Sequence, residues 1–371
     1  MKFSCEKVLL QNAVMTASRA AAVKSAVPSL EGLLIEADTE ISVSGYDLKT
    51  GIKTSLPADV EEPGSIVLNA HLFGDIIRKL PDDVVSVTVN ESMSAKITCG
   101  MSEFNILGMS AADYPELHAV DEMNSVYIKE SALKAVIGQT IFAVSDNEAR
   151  PIHTGSLFEV EGKSLTVVSV DGYRLALRRE QLEKSDMVDG SFVIPGSALS
   201  EVEKIAADSD NLIQITLGAK HIMFTIGSTV LISRRLEGEF LNYKNSVPKT
   251  GKFSIEIAKR ELIGAVERVS LIINDKVKSP VRFTFGDGKV DLLTATALGR
   301  ATDQCPTKGD GEGLEIGFNN KYILDALKAA PADTLRLQLS TGISPCVIVP
   351  ADDSRNFLYM ILPVRLKANE N

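Results

Sequence analysis

Val85-Ser86-Val87-Thr88-Val89 alternates apolar and polar residues, the pattern of a strand with one buried face. It returns as Ile213-Gln214-Ile215-Thr216-Leu217 and as Leu335-Arg336-Leu337-Gln338-Leu339, at intervals of roughly 120 residues. A Gly-led strand and a helix precede each copy. Further upstream, an amphipathic helix places Leu10, Ala13, Val14 and Ala17 at i, i+3, i+4 and i+7. Leu262, Ala265, Val266 and Val269 repeat that spacing, and Leu133, Val136, Ile137 and Ile141 come close to it. Each copy opens on an aromatic in a short strand: Phe3-Ser4-Cys5, Tyr127-Ile128-Lys129 and Phe253-Ser254-Ile255. Between the two helices lie matching strands, among them Leu33-Leu34-Ile35-Glu36, Leu157-Phe158-Glu159-Val160 and Arg282-Phe283-Thr284-Phe285. The order of elements predicts an α+β chain of three tandem domains, each with two helices against antiparallel sheet. The expected domains are 1–122, 123–247 and 248–371, divided at Asp121-Glu122-Met123-Asn124 and at Pro248-Lys249-Thr250-Gly251.

The composition is that of a globular protein, 44% hydrophobic and 24% charged over 371 residues. No stretch has the apolar length that spans a bilayer. The first repeat begins at Phe3, which leaves no room for a signal peptide and points to the cytoplasm. Cys5, Cys99, Cys305 and Cys346 are far apart, form no metal-type pair, and read as buried small hydrophobes. With 39 basic and 49 acidic residues the net charge is −10, the wrong sign for a protein that grips nucleic acid by counterion release.

Catalytic signatures are missing. His71, His118, His153 and His221 sit in different segments without cysteine or carboxylate at metal-ligand spacing, so they read as surface or loop residues. No phosphate-binding glycine motif leads from a strand into a helix, and the loop Lys308-Gly309-Asp310-Gly311-Glu312-Gly313 runs into a strand instead. No cofactor or metal is expected. Two stretches remain. Asp171-Gly172-Tyr173-Arg174-Leu175 reads as a tight turn that presents Tyr173 and Arg174 outward. Leu358-Tyr359-Met360-Ile361-Leu362-Pro363-Val364-Arg365-Leu366 reads as a final core strand that leaves the sheet at Pro363, with Met360, Leu362 and Val364 available to line an apolar groove.

These two stretches, inside a threefold repeat, resemble the bacterial sliding clamp, the beta subunit of DNA polymerase III. The resemblance runs from Met1-Lys2-Phe3 through Ala111-Ala112-Asp113-Tyr114-Pro115, Arg150-Pro151 and Gly155-Ser156-Leu157-Phe158. It continues through Asp171-Gly172-Tyr173-Arg174-Leu175-Ala176, Gly317-Phe318-Asn319 and Tyr322-Ile323-Leu324-Asp325 to Leu362-Pro363-Val364-Arg365-Leu366. It implies a non-catalytic homodimeric ring of two head-to-tail chains around duplex DNA. Twelve helices about 10 Å wide make a circle of roughly 38 Å through their axes and leave a hole of roughly 28 Å, whereas six leave only about 9 Å for a duplex about 20 Å across. A topological link needs no tight grip, which accommodates the acidic charge.

The resemblance also implies residues. Candidate hole-lining cations are Lys24, Arg78, Lys79, Lys134, Lys204, Lys259, Arg260, Lys321 and Lys328, with Glu203 and Glu267 sharing their helices. A pocket for a short hydrophobic segment of the replicative polymerase, the clamp loader and other replication and repair proteins would use Val170, Gly172, Tyr173, Arg174, Leu175, Leu241 and Ser246. Asn319, Tyr322, Met360, Ile361, Leu362, Pro363, Val364 and Arg365 would complete it, with Arg174, Arg365 and Asn319 holding polar groups of the peptide. The dimer contact would set Phe104 and Ile106 against Leu271 and Ile272, all four equally legible as core. The chain departs from the family at Tyr173, often histidine, and at His153, often leucine; Lys367 to Asn371 form a polar extension. Two other classes of function stay in view: a hydrolase using Asp171 and Arg174, and a monomeric interaction scaffold.

Overall fold

Leu10, Ala13, Val14 and Ala17 are all buried on one side of helix Lys7–Ala17, as the spacing requires. In the computed structural model every residue is described except 119, 121–123, 275–278, 310, 353, 355 and 367–371. Most of the first proposed boundary, Asp310 and the tail Lys367 to Asn371 therefore lie outside the described residues.

Each third of the chain carries two principal helices: Lys7–Ala17 and Ala70–Lys79, Glu130–Gly138 and Gly196–Ile205, Lys259–Val269 and Asn320–Ala329. Asn69 and Asn319 start their helices with side-chain caps, accepting from Leu72 N–H at 2.9 Å and from Lys321 and Tyr322 N–H at 2.9 and 3.3 Å. Ile141 does not extend its helix. Glu130–Gly138 ends first, and Ile141 begins a separate 3-10 turn, Ile141–Ala143, only half-buried.

The chain forms two compact units, 1–131 with 182–188 and 200–235, and 132–181 with 189–199 and 236–371. In the first, Lys2–Glu6, Asp59–Glu62, Val84–Val89, Ser94–Cys99 and Ser102–Leu107 make a five-stranded sheet with Ser102–Leu107 at its edge. A nine-stranded sheet runs through the pairing of Thr50–Leu56 with Thr229–Arg234. The core packs the two helices of the first third against Phe3, Leu33, Ile35, Val43, Ile66, Val85 and Ile97. The second unit holds a twelve-stranded sheet, continuous through the pairing of Arg174–Gln181 with Phe357–Ile361. Its core sets Leu262, Ala265, Val266, Ile323, Ala326 and Leu327 against Phe283, Phe285, Ile316, Leu337 and Tyr359. Each such large apolar side chain contributes about 1.5–3 kcal/mol on burial.

The registers correct one reading. Phe3 pairs with Val87, Val126 with Ile215 and Ile255 with Leu337, and all six are buried. Phe3 is thus equivalent to Val126 and Ile255, one residue ahead of Tyr127 in the second copy and two beyond Phe253 in the third. Strand alternation sends Tyr127 to the face opposite Val126, whereas Phe253 shares the face of Ile255 and packs on the margin of the core; each is half-buried beneath a lysine, Lys184 and Lys252 respectively.

Candidate partner-binding site

The turn after strand Ser164–Val170 forms as its sequence indicates. Asp171 Oδ1 accepts from the N–H groups of Tyr173 and Arg174 at 2.8 and 3.0 Å, and Gly172 takes φ +90°. Tyr173 points outward, 60% exposed, and stacks on Tyr322 with ring centroids 5.8 Å apart. Arg174 does not point outward. It is 8% exposed, its Nε donates to Asp171 Oδ2 at 2.8 Å, and its Nη1 donates to Asp325 Oδ2 at 2.6 Å. The guanidinium also lies 4.6 Å from the Tyr322 ring centroid and 5.3 Å from that of Phe142. A buried charge is tolerable when paired and stacked in this way.

The C-terminal stretch runs beside this turn. Arg174 pairs with Ile361 and Leu175 with Met360. Leu362 N–H donates to Tyr173 C=O at 2.8 Å, and the chain leaves the strand at Pro363. Val364 N–H then donates to Gly317 C=O at 2.8 Å, two residues before the helix cap Asn319. Val170, Leu175 and Met360 join Leu157, Leu177, Val193, Tyr243 and Val347 in one buried apolar cluster. Ile361, next along the strand, faces the other side and is fully buried in the core. Above the cluster, Leu241, Leu362 and Val364 remain exposed at 42%, 36% and 37%. Ser246 and Arg365 are exposed, and Pro363 is half-buried. The candidate residues thus converge on a buried apolar floor with exposed leucine, valine and tyrosine at its margin. Asn319 Oδ1 is occupied by its helix, and Arg174 Nε and Nη1 by two carboxylates.

Several contributors were not foreseen. Phe240 sits edge-on to His153 at 5.6 Å, and Phe240, Leu236 and Val247 pack on the cluster. Tyr243 donates to the Glu159 carboxylate. The adjacent Phe240-Leu241 pair in an otherwise polar connector was the available signal. Burial, aided by Arg150, lowers the His153 pKa.

The candidate cations are spread over both units. Lys24 lies in the bend after the first helix, and the other eight lie on principal helices. Several already have partners, among them Arg78 with Asp75 at 2.5 Å, Lys204 with Glu201 at 2.6 Å, Lys328 with Glu267 at 2.7 Å, and Lys259 with Ala330 C=O at 2.9 Å. Phe104 is 38% exposed on the edge strand and Ile106 half-buried; Leu271 is 83% exposed in the 3-10 turn Ser270–Ile272, and Ile272 is half-buried. The four cysteines are free and buried, and burial holds Cys5, Cys305 and Cys346 up at about 12. Two histidines come together despite their distance in sequence: His118 stacks on His221 at 4.2 Å, with Tyr46 Oη 3.3 Å from His118 Nδ1. Among the described residues no helix is long and apolar enough to cross a membrane.

A threefold chain of helix pairs on antiparallel sheet, with an apolar cluster at a sheet joint, defines a class of binding proteins. Three family models match it in order: the N-terminal domain of the DNA polymerase III beta subunit over residues 1–118, the central domain over 127–242 and the C-terminal domain over 244–365. The beta sliding clamp of Halalkalibacterium halodurans is 32% identical over 98% of this chain and 100% of its own length, and that of Bacillus subtilis is 30% identical over 98% and 100%. The solved DNA polymerase sliding clamp of B. subtilis superposes with a TM-score of 0.94 at 30% identity, covering 99% of this chain and 100% of its own. A DNA polymerase III beta subunit structure from Eubacterium rectale gives 0.93 at 33% identity, over 98% and 99%. The chain belongs to the DNA polymerase III beta subunit family, the beta sliding clamps.

Proposed function

We propose that this chain is a DNA polymerase processivity factor of the cytoplasm. Two copies form a ring around duplex DNA, slide on it without sequence preference, and tether the replicative polymerase, the clamp loader and other replication and repair proteins. The role is non-catalytic: Asp171 and Arg174, the candidates for a hydrolase site, bond to each other and to the turn. The proposed domains are 1–122, 123–247 and 248–371.

One observation carries the ring. Sheet pairing joins consecutive copies twice, Thr229–Arg234 to Thr50–Leu56 and Phe357–Ile361 to Arg174–Gln181, with Ser233 opposite Thr50 and Ile361 opposite Arg174. The equivalent third joint is unmade. Among the described residues no strand covers the outer side of Ser102–Leu107. Among the described residues, strand Gly299–Lys308 pairs on its second side only at Thr307 and Lys308. A chain with one open half-joint of each kind joins a second copy head to tail, burying an edge that would otherwise promote aggregation. Phe104 and Ile106 lie on one half-joint, and Leu271 and Ile272 belong to the same interface. Lys24, Arg78, Lys79, Lys134, Lys204, Lys259, Arg260, Lys321 and Lys328 supply the hole with weak cationic contacts, and the residues around Tyr173, Leu241 and Leu362 receive the partner's peptide.

Sedimentation and negative-stain microscopy of the purified protein test this reading. Annular particles at roughly 80 kDa, twice the chain's 40.0 kDa, are expected. Particles of single-chain mass without a hole at micromolar concentration would sink it.

A further inference from the structure

The two completed joints share the same turn, strand pairing and returning connector, yet one holds the candidate pocket and the other does not. At the first, Asp47 Oδ1 accepts from the N–H groups of Lys49 and Thr50 at 2.9 and 2.7 Å, as Asp171 does for Tyr173 and Arg174. Leu48 takes φ +71° where Gly172 takes +90°. Arg234 N–H donates to Lys49 C=O at 3.2 Å, as Leu362 N–H does to Tyr173 C=O. The connector returns through the bridge of Met109 to Val67, matching Leu236 to Val193, and buries Tyr114 where the second buries Tyr243.

On this alignment Gly51 stands for Leu175, Ser44 for Val168, Lys53 for Leu177, and Leu117 for Ser246. A Cβ at Gly51 would lie 2.3 Å from Leu117 Cδ2, so the Leu117 side chain takes the room that Leu175 fills at the second joint. Leu117 packs there against Leu30, Tyr46, Val67 and Tyr114. Its connector is fastened on both sides: Ser29 Oγ donates to Asp113 C=O at 2.9 Å, Tyr114 Oη to Ser44 C=O at 3.3 Å, and His118 stacks on His221. What remains is a polar cavity of about 600 Å³ lined by Glu36, Ser44, Lys53, Ser65 and Leu117 among others.

We propose that Leu117 is a built-in occupant of the first joint, which leaves each chain one apolar slot for a partner peptide. The inference rests on the peptide-binding reading of the second joint, and a two-part experiment separates them. Calorimetric titration of the full chain with a short synthetic peptide bearing adjacent Leu and Phe tests the second joint: one peptide per chain is expected, and none would remove that reading. In a Leu241→Asp/Leu362→Asp background, which closes the second joint, adding Ser44→Val, Lys53→Leu and Leu117→Ser restores one peptide per chain. The same variant with Leu117 retained binds none. A folded variant that binds no peptide without Leu117, or binds equally with it, overturns the proposal. Seating is also read without peptide, because the native cysteines are buried. Leu117→Cys is labelled by a bulky maleimide at least about 10-fold more slowly than Ser246→Cys; equal rates would mean that position 117 is not held in the joint.

Discussion

Arg174 is the residue where charge, packing and site meet. Its guanidinium serves two carboxylates and two aromatic rings while 8% exposed, a geometry that an ammonium cannot reproduce. Arg174→Lys is therefore expected to lower unfolding free energy by about 2 kcal/mol in urea and to weaken peptide binding by loosening the Tyr322 and Tyr173 stack. An unchanged denaturation midpoint would show that the pairs contribute nothing net. Leu362→Asp places a charge at the exposed margin and should abolish peptide binding while leaving the melt intact. Met360 is the poorer choice for that test, since it lies in the buried cluster. The turn itself was legible, because Asp171 and Gly172 act locally. The inward direction of Arg174 was not: it is set by Asp325, 151 residues away, and by the strand that begins at Arg174.

At the scale of elements, helices and strands follow their apolar spacing wherever that spacing is long. It fails at ends: Ile141 fits the helical period but follows the helix, and Tyr127 lies on the face of its strand opposite the buried Val126. A two-residue period makes a one-residue error in alignment a change of face, and only cross-strand pairing resolves it. The caps give an element-level prediction. Asn319→Ala should cost about 1 kcal/mol and disturb Tyr322, whereas Asn69→Ala should cost a similar amount without affecting peptide binding. Equal loss of binding in both would assign the effect to global stability. The connectors give another. Burial lowers the pKa of His221, with His118, Arg234 and Lys220 acting in the same direction, and burial with Arg150 lowers that of His153. Both resist protonation when folded but titrate near their ordinary value of about 6.5 when unfolded, so stability is full above that pH and falls as pH drops toward the folded values. Thermal melts across this range should slope less steeply for His153→Gln/His221→Gln than for the parent chain; identical slopes would remove these two imidazoles as the cause.

For the whole molecule, three copies were legible because each pattern occurs three times, but the joints were not, because sheet edges pair residues that no local rule connects. The registers now specify the missing joint. Phe104 pairs with Ile97 as Leu231 pairs with Phe224 and Tyr359 with Ile348. Leu231 lies opposite Ile52 and Tyr359 opposite Ala176, and the third-copy equivalent of those two is Ala301, which pairs with Thr294 as Ala176 pairs with Ser169. Phe104 of one chain should therefore face the partner's Ala301. Phe104→Lys and Ala301→Glu, made in separate chains, each put a lone charge into both joints of a homodimer, at a cost of about 3 kcal/mol or more per joint, and should sediment as monomers. Mixing the two restores the ring, because one joint then carries a Lys–Glu pair and the other is unaltered. Recovery of dimer only on mixing distinguishes an interface effect from misfolding. Dimers in either variant alone, or monomers after mixing, would show that the chains meet in another register or through another surface.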